Sequence, residues 1–355
     1  MTDIDFQQLS EKLSLPLPLF LQYALKKYPE YGKTAWYDFY LKNRARKTGT
    51  LLSLHLELTS KCNLNCKMCY VHSESIPESS QKELSEEQWL ELMKQAVSEG
   101  IYSVTLSGGE AMLHPGFWPI YEYLHAHGVL VSVFTNGLCL TDTAIEHFVS
   151  LPPRLIQISL YGASEEGYTT VTGRPVFHQI DHTLQQLKKA GLPFQVAITP
   201  SIFLYPEIDS ILQYVQERNY PYRINKTLFP PREETGRKHA NICLSTQQMG
   251  EILKQLPAEG SSEPGQVHRI SIPKTAPLSE IGVPCASGMT SAHIDCNGIM
   301  NGCIALPLVN ADVCKLGLKE LFRQFINAAW NFECPQNVQA ARSILFVPPV
   351  PENIF

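Results

Sequence analysis

The sequence predicts an α/β fold: a partial (β/α)6 barrel followed by a separate C-terminal unit. Three observations predict it. From residue 51 to about 235, six short strand-like segments alternate with longer amphipathic helical ones, the signature of βα units and a parallel sheet. Gly100, Gly128 and Gly191 stand at three of the helix ends, where a left-handed residue stops a helix. After about 236 the alternation gives way to a Pro/Gly/Ser-rich stretch and a hairpin pattern. The divisions are therefore 1–50, 51–235 and 236–355, and six strands fall short of the eight that close a full barrel.

Residues 1–50 read as helical and rich in aromatics, including Phe20, Tyr23, Trp36, Tyr37, Phe39 and Tyr40. Strands are expected near 52–59, 101–107, 129–134, 154–160, 194–199 and 222–227. Helices are expected near 86–99, 116–127, 142–150, 177–190 and 207–218. Ser85-Glu86-Glu87-Gln88 is a capping box that opens the first of these helices. Buried parallel strands normally read as continuous apolar runs. Here polar residues recur two apart, hence on one face: His55/Glu57/Thr59, Ser103/Thr105/Ser107, Gln157/Ser159/Tyr161, Gln195/Thr199 and Arg223/Asn225. The same habit in five strands predicts a polar chamber inside the barrel. Beyond it, Ser245-Thr246-Gln247-Gln248 caps a short helix, 257–265 reads as a loop, and Asn297-Gly298 is the turn of a hairpin over 292–303. A last helix is expected near 316–329, then a proline-rich tail over 347–355.

Of the 355 residues, 44% are hydrophobic and 18% charged, enough for a large core. The net charge of −5 leaves no global basic footprint for nucleic acid. No apolar run is long enough to span a membrane, and the acidic Met1-Thr2-Asp3-Ile4-Asp5 start is unlike a signal peptide, so a cytoplasmic location is expected. Ten cysteines in such a chain point to metal or thiol chemistry, because the cytosol keeps thiols reduced. Cys62, Cys66 and Cys69 form one group; Cys285, Cys296, Cys303, Cys314 and Cys334 form a second, with Cys243 outlying and Cys139 alone.

The first group, C-x3-C-x2-C, follows the first strand directly. Three thiolates can each hold one iron of a 4Fe–4S cluster, which leaves the fourth iron open to another ligand. A structural zinc knuckle, with His72 as a fourth ligand, is the competing reading. His178 and His182 lie four apart but lack the general-base Glu of a zinc protease and read as a solvated helix face. His125 and His127 suit a helix C-terminus.

The run Cys62-Asn63-Leu64-Asn65-Cys66-Lys67-Met68-Cys69 resembles the signature of the radical S-adenosylmethionine (SAM) superfamily, with Met68 where an aromatic is more common and Tyr70 available for that contact. Ser107-Gly108-Gly109-Glu110, at the end of the second strand, resembles the family's GGE motif, and the likeness extends over about 51–235. It implies a partial TIM barrel, a 4Fe–4S cluster on Cys62, Cys66 and Cys69, and SAM. It also implies that Ser107, Gly108, Gly109 and Glu110 serve the SAM amino group, that Asn136 lies near SAM, that Ser159 serves its ribose and Arg174 its carboxylate. The implied chemistry is one-electron cleavage of SAM to methionine and a 5′-deoxyadenosyl radical that abstracts hydrogen from substrate.

Cys285 and Cys303, spaced C-x12-G-x4-C about Gly298, resemble the opening half of the SPASM extension. Its second half is missing, so the shorter twitch form is implied. That form would carry one auxiliary 4Fe–4S cluster on Cys285, Cys303, Cys334 and either Cys314 or Cys296, with Cys314 preferred. A zinc or degenerate site is the alternative. Cys243 is a candidate hydrogen donor by likeness to radical SAM peptide epimerases, or else simply packed. The resemblance implies a ribosomally synthesised precursor peptide as substrate, modified by C–H activation to a cross-link or an epimer. It also implies an electron donor such as flavodoxin or ferredoxin. A separate peptide-recognition protein is implied because 50 residues are few for a winged-helix leader-binding domain. Dehydrogenation or rearrangement of a small metabolite is the alternative. A non-catalytic iron–sulfur or zinc-binding scaffold is the alternative of another class.

Overall fold

Three helices, α1 (Phe6–Lys12), α2 (Leu17–Lys27) and α3 (Gly32–Thr48), form as expected at the N-terminus and bury Leu9, Phe20, Ala24, Tyr28 and Trp36 in a small core of their own. The indole Nε1–H of Trp36 donates to the Tyr28 carbonyl at 3.1 Å, which satisfies the polar atom of a fully buried ring. The computed structural model describes residues 6–29, 32–71, 82–225, 228, 241–256, 290–302 and 311–329. His72, Cys285, Cys303 and Cys334, the 257–265 loop and the 347–355 tail lie outside the described residues.

The alternation beginning at residue 51 becomes β1 (Ser53–Glu57), α4 (Glu86–Ser98), β2 (Ser103–Ser107), α5 (Phe117–Ala126), β3 (Leu130–Thr135), α6 (Asp142–Ser150) and β4 (Leu155–Ser159). It continues through α7 (Glu165–Thr172), α8 (Phe177–Lys189), β5 (Phe194–Ile198), α9 (Ile208–Glu217) and β6 (Tyr222–Ile224). The six strands pair in parallel and in chain order, so each crossover moves one place along the sheet. The Ser85–Gln88 capping box of α4 is present in both directions.

Period-two patterning then sorts the side chains. Leu54, Leu56, Val104, Leu106, Val131, Val133, Ile156, Ile158, Val196 and Ile198 are buried in the main core. The intervening positions His55, Ser107, Phe134, Gln157, Ser159, Thr199, Arg223 and Asn225 line a cavity of about 430 Å³ where the polar spacing predicts a chamber, although more of its surface is apolar than polar.

Two features differ from the sequence reading. Helix α7 was not expected. Its Gly, Tyr, Thr and Val residues are weak helix formers, yet Ser164 caps it by accepting from Gly167 N–H, and Tyr168, Val171 and Thr172 are buried. The hairpin, β7 (Ser291–Ile294) and β8 (Ile299–Asn301), forms about Asn297-Gly298 as expected, but it belongs to the same sheet as the barrel strands. β7 pairs in parallel with β1, β8 returns antiparallel, and β9 (Ala311–Asp312) follows. The short helix after Ser245 is α10 (Thr246–Lys254). The last expected helix is α12 (Leu318–Ala329), preceded across Gly317 by the short α11 (Val313–Leu316).

Candidate active site

The chain leaves β1 at Glu57 and turns at once into the segment that carries the three cysteines. That segment is held along its backbone from two neighbours. On one side Leu58 N–H donates to the Ser107 carbonyl (2.9 Å), Gly109 N–H to Thr59 (2.8 Å) and Glu110 N–H to Lys61 (2.8 Å). On the other, the last turn of α7 receives Asn65 N–H at Thr172 (3.1 Å) and Lys67 N–H at Val171 (2.9 Å). Arg174 Nη1 also donates to the Asn63 carbonyl at 2.9 Å.

A third clamp comes from Glu83, which the sequence reading missed and for which the sequence holds no local signal. Its carboxylate accepts from Thr59 Oγ1 (2.8 Å), from the Ser60 N–H (2.7 Å) and from the Ser60 hydroxyl. Burial pushes this carboxyl up, but the hydrogen bonds outweigh it and hold it below its ordinary value of 4.5. A carboxyl depressed on folding contributes stability that is full above its unfolded pKa and is lost as pH falls through its folded one. Glu83→Gln is therefore expected to lower the urea midpoint at neutral pH. The gap from wild type should close as the medium is acidified below 4.5. A gap that stayed constant with pH would refute the ionic role of Glu83.

Held in this way, Cys62, Cys66 and Cys69 all line the cavity, together with Met68, Tyr70, Ser107, Gly108, Gly109, Asn136, Ser159 and Tyr161. The structure thus brings most of the predicted site to one place, at the C-terminal ends of the strands. Burial pushes the Cys66 thiol up to about 12, with Cys69 and Cys62 nearby adding to the rise and the Tyr161 hydroxyl opposing it. Burial also raises Cys62, against hydrogen bonds from Leu64 N–H and the Asn136 side chain. Thiols of this kind are protonated at neutral pH and give up their protons when they take a metal.

Among the described residues no three His, Cys, Asp or Glu side chains gather closely about one ion. A 4Fe–4S cluster does not require that, because each thiolate takes a different iron. Three cysteine thiols on one cavity wall, beside a strand end of small residues, fit such a cluster and leave room for a ligand on its open iron. Cys62, Cys66 and Cys69 would hold it.

Four predicted residues stand elsewhere. Glu110 is fully buried and does not line the cavity; its carboxylate accepts from Thr135 Oγ1, Asn136 N–H and Met112 N–H. Arg174 is exposed and serves the cysteine loop through Asn63. Cys243 is half-buried and absent from the cavity wall; its neighbour Ile242 accepts from Ile202 N–H at 3.1 Å. Cys314 is exposed, at the start of α11, whereas Cys296 is buried just after β7. Cys139, without a role in the sequence reading, receives the Asn63 amide at 3.5 Å.

Residues 56–215 match the radical SAM superfamily. The sporulation killing factor maturation protein SkfB of Bacillus subtilis is 31% identical over 216 residues, which cover 59% of this chain and 52% of that protein. The mycofactocin maturase MftC of Mycobacterium tuberculosis is 31% identical over 140 residues, 39% of this chain and 35% of that protein. The chain thus spans about half the length, or less, of these relatives. In three dimensions, Streptococcus suis SuiB bound to precursor peptide SuiA superposes with a TM-score of 0.61 at 14% identity, covering 97% of this chain and 88% of SuiB. At that identity the likeness establishes the fold, a partial barrel of the same kind. The cysteine loop on β1, the glycine pair on β2 and the matched segment agree: the chain carries a radical SAM domain over residues 56–215.

Proposed function

We propose that the chain is a radical SAM enzyme that modifies a ribosomally synthesised precursor peptide, activating a C–H bond to form a cross-link or an epimerised residue. The observation that carries the chemistry is the convergence of Cys62, Cys66 and Cys69 with Gly108 and Gly109 on one cavity. Two relatives that bear the name maturase or maturation protein, and the SuiB fold with its peptide SuiA, support the peptide as substrate.

When bound, the cluster and SAM supply one-electron cleavage of the sulfonium, giving a 5′-deoxyadenosyl radical that removes hydrogen from substrate. The chain's own residues hold and enclose. Ser107, Gly108 and Gly109 would hold the SAM amino group and Ser159 its ribose, and Tyr70, beside Cys69, would also contact SAM. Glu110 and Arg174 act from outside the cavity wall, one by ordering the turn after β3 and the other by fixing Asn63. In this reading residues 51–235 are the catalytic barrel and 236–355 hold one auxiliary 4Fe–4S cluster on Cys285, Cys303, Cys334 and Cys314. The exposure of Cys314 supports it over Cys296, whose side chain is packed in the interior. A flavodoxin or ferredoxin would deliver the electron, and a separate protein would present the peptide.

Anaerobically reconstituted chain, reduced with dithionite, is expected to convert SAM to 5′-deoxyadenosine. Cys66→Ala is expected to give none above background. A chain carrying its full iron and sulfide that made no 5′-deoxyadenosine would overturn the enzyme reading. Co-expression with short open reading frames from the neighbouring genes tests the substrate. The modified peptide is expected to lose two hydrogens, or to take up one deuterium from heavy water. If instead a small molecule alone were turned over, the peptide would be the wrong substrate.

A further inference from the structure

Asn136 sits on the turn that follows β3, and its amide orientation is fixed by its neighbours. Its Oδ1 accepts from Leu138 N–H at 3.0 Å, so Nδ2 must face the other way. That nitrogen has two hydrogens to give. It lies 2.7 Å from Asn63 Oδ1 and 3.7 Å from Cys62 Sγ, within reach of an N–H···S hydrogen bond. The turn itself is held still. Glu110, fully buried, accepts the Asn136 backbone N–H at 2.9 Å and the Thr135 hydroxyl at 2.9 and 2.8 Å on its two oxygens. Asn63 is equally constrained, between Asn136, the Cys139 thiol and the Arg174 guanidinium.

A donor aimed at a cluster sulfur is an electronic element as well as a structural one. Reduction adds negative charge, part of which resides on the ligating sulfurs. A hydrogen bond to sulfur is therefore stronger in the reduced state and raises the reduction potential. We propose that Asn136 sets the potential of the cluster on Cys62 through this hydrogen bond, with Glu110 as the residue that positions it. The inference rests on the radical SAM reading above and adds to it a residue that acts on the electron-accepting step. In that step one electron passes from an external low-potential reductant to the cluster, and no bond is made or broken.

The test uses the full chain, reconstituted anaerobically without SAM, titrated by spectroelectrochemistry with iron and sulfide measured on the same sample. Asn136→Leu keeps the branched side-chain shape and removes the donor. It is expected to make reduction about tenfold less favourable, a midpoint about 59 mV more negative for a one-electron couple. Asn136→Asp, which replaces the donor by a carboxylate oxygen, is expected to shift it in the same direction. Unshifted midpoints in both variants at full cluster content would overturn the proposal. So would folded variants that load no cluster, since Asn136 would then be an assembly residue. A wild-type chain that binds no cluster would instead remove the radical SAM reading, and this inference with it.

Discussion

Gly109→Ala is expected to leave the barrel folded but unable to hold its cysteine loop. A Cβ at residue 109 would lie 2.4 Å from the Ser60 carbonyl oxygen and 2.5 Å from that of Lys61. At Gly108 it would lie 2.4 Å from the Thr59 oxygen, on a backbone whose φ is +146°. These obstacles are backbone atoms, so no side chain can swing away. The loop must retreat, and it can do so only by stretching the bonds from Gly109 to Thr59 and from Glu110 to Lys61. Overpacking costs about 1–3 kcal/mol, and each hydrogen bond lost adds about 1 kcal/mol. The expected result is an iron content well below half that of wild type after reconstitution, together with a lowered unfolding midpoint. Gly128→Ala is the control. Its φ is +72° but nothing lies within 4 Å of the added Cβ, so it carries strain alone, about 1–2 kcal/mol, and should keep its iron. Equal iron in Gly109→Ala and wild type would sink the close-approach account of the glycine pair.

That steric role also shows where sequence reading stops. The six strands and five of the barrel helices were legible because each is a local pattern: apolar periodicity, a capping box, a glycine stop. Cys62, Cys66 and Cys69 were legible because their chemistry is written in their spacing. Contacts made across the fold were not. Glu83 grips Thr59 and Ser60 from a distant part of the chain, with no motif to mark it. Helix α7 was missed because its residues disfavour a helix in isolation, and packing of Tyr168 and Val171 overrides that preference. The close fit there is visible at Gly167, where any side chain would meet the Glu207 carboxylate that itself binds Ala163 N–H and Ser164 Oγ. Ser164 followed by two glutamates was the available signal for this helix start. Glu110 illustrates the reverse case. The motif was legible, but the binding of its carboxylate to Thr135 and Asn136, behind the cavity lining, is set by β3 and not by the Gly-Gly-Glu spelling.

The largest loss of stability is expected from His293→Leu, at the seam between β1 and β7. A hairpin pattern does not say which strand it will join, and here it joins β1 in parallel, with His55 opposite His293. One step along, Glu57 is fully buried and its Oε1 lies 2.9 Å from His293 Nε2, close as a pair though off the line that a good hydrogen bond requires. The His55 ring, on the cavity wall, lies 5.7 Å from the rings of both His293 and Phe134. Removing one member of a buried pair leaves the other desolvated, at a cost of about 3–5 kcal/mol, whereas replacing both by apolar residues is often nearly neutral. His293→Leu and Glu57→Leu are thus each expected to lower the unfolding free energy by about that much, and the double variant to recover most of it. Chemical denaturation of all four proteins measures the coupling. Simple additivity of the two losses would show that the pair does not act as a unit. The position gives the pair its importance: β1 runs straight into the loop of Cys62, and β7 runs into the turn that holds Cys296. A loosened seam would free both ends together, so His293→Leu is also expected to lower iron retention at the three-cysteine site, although His293 is no ligand there.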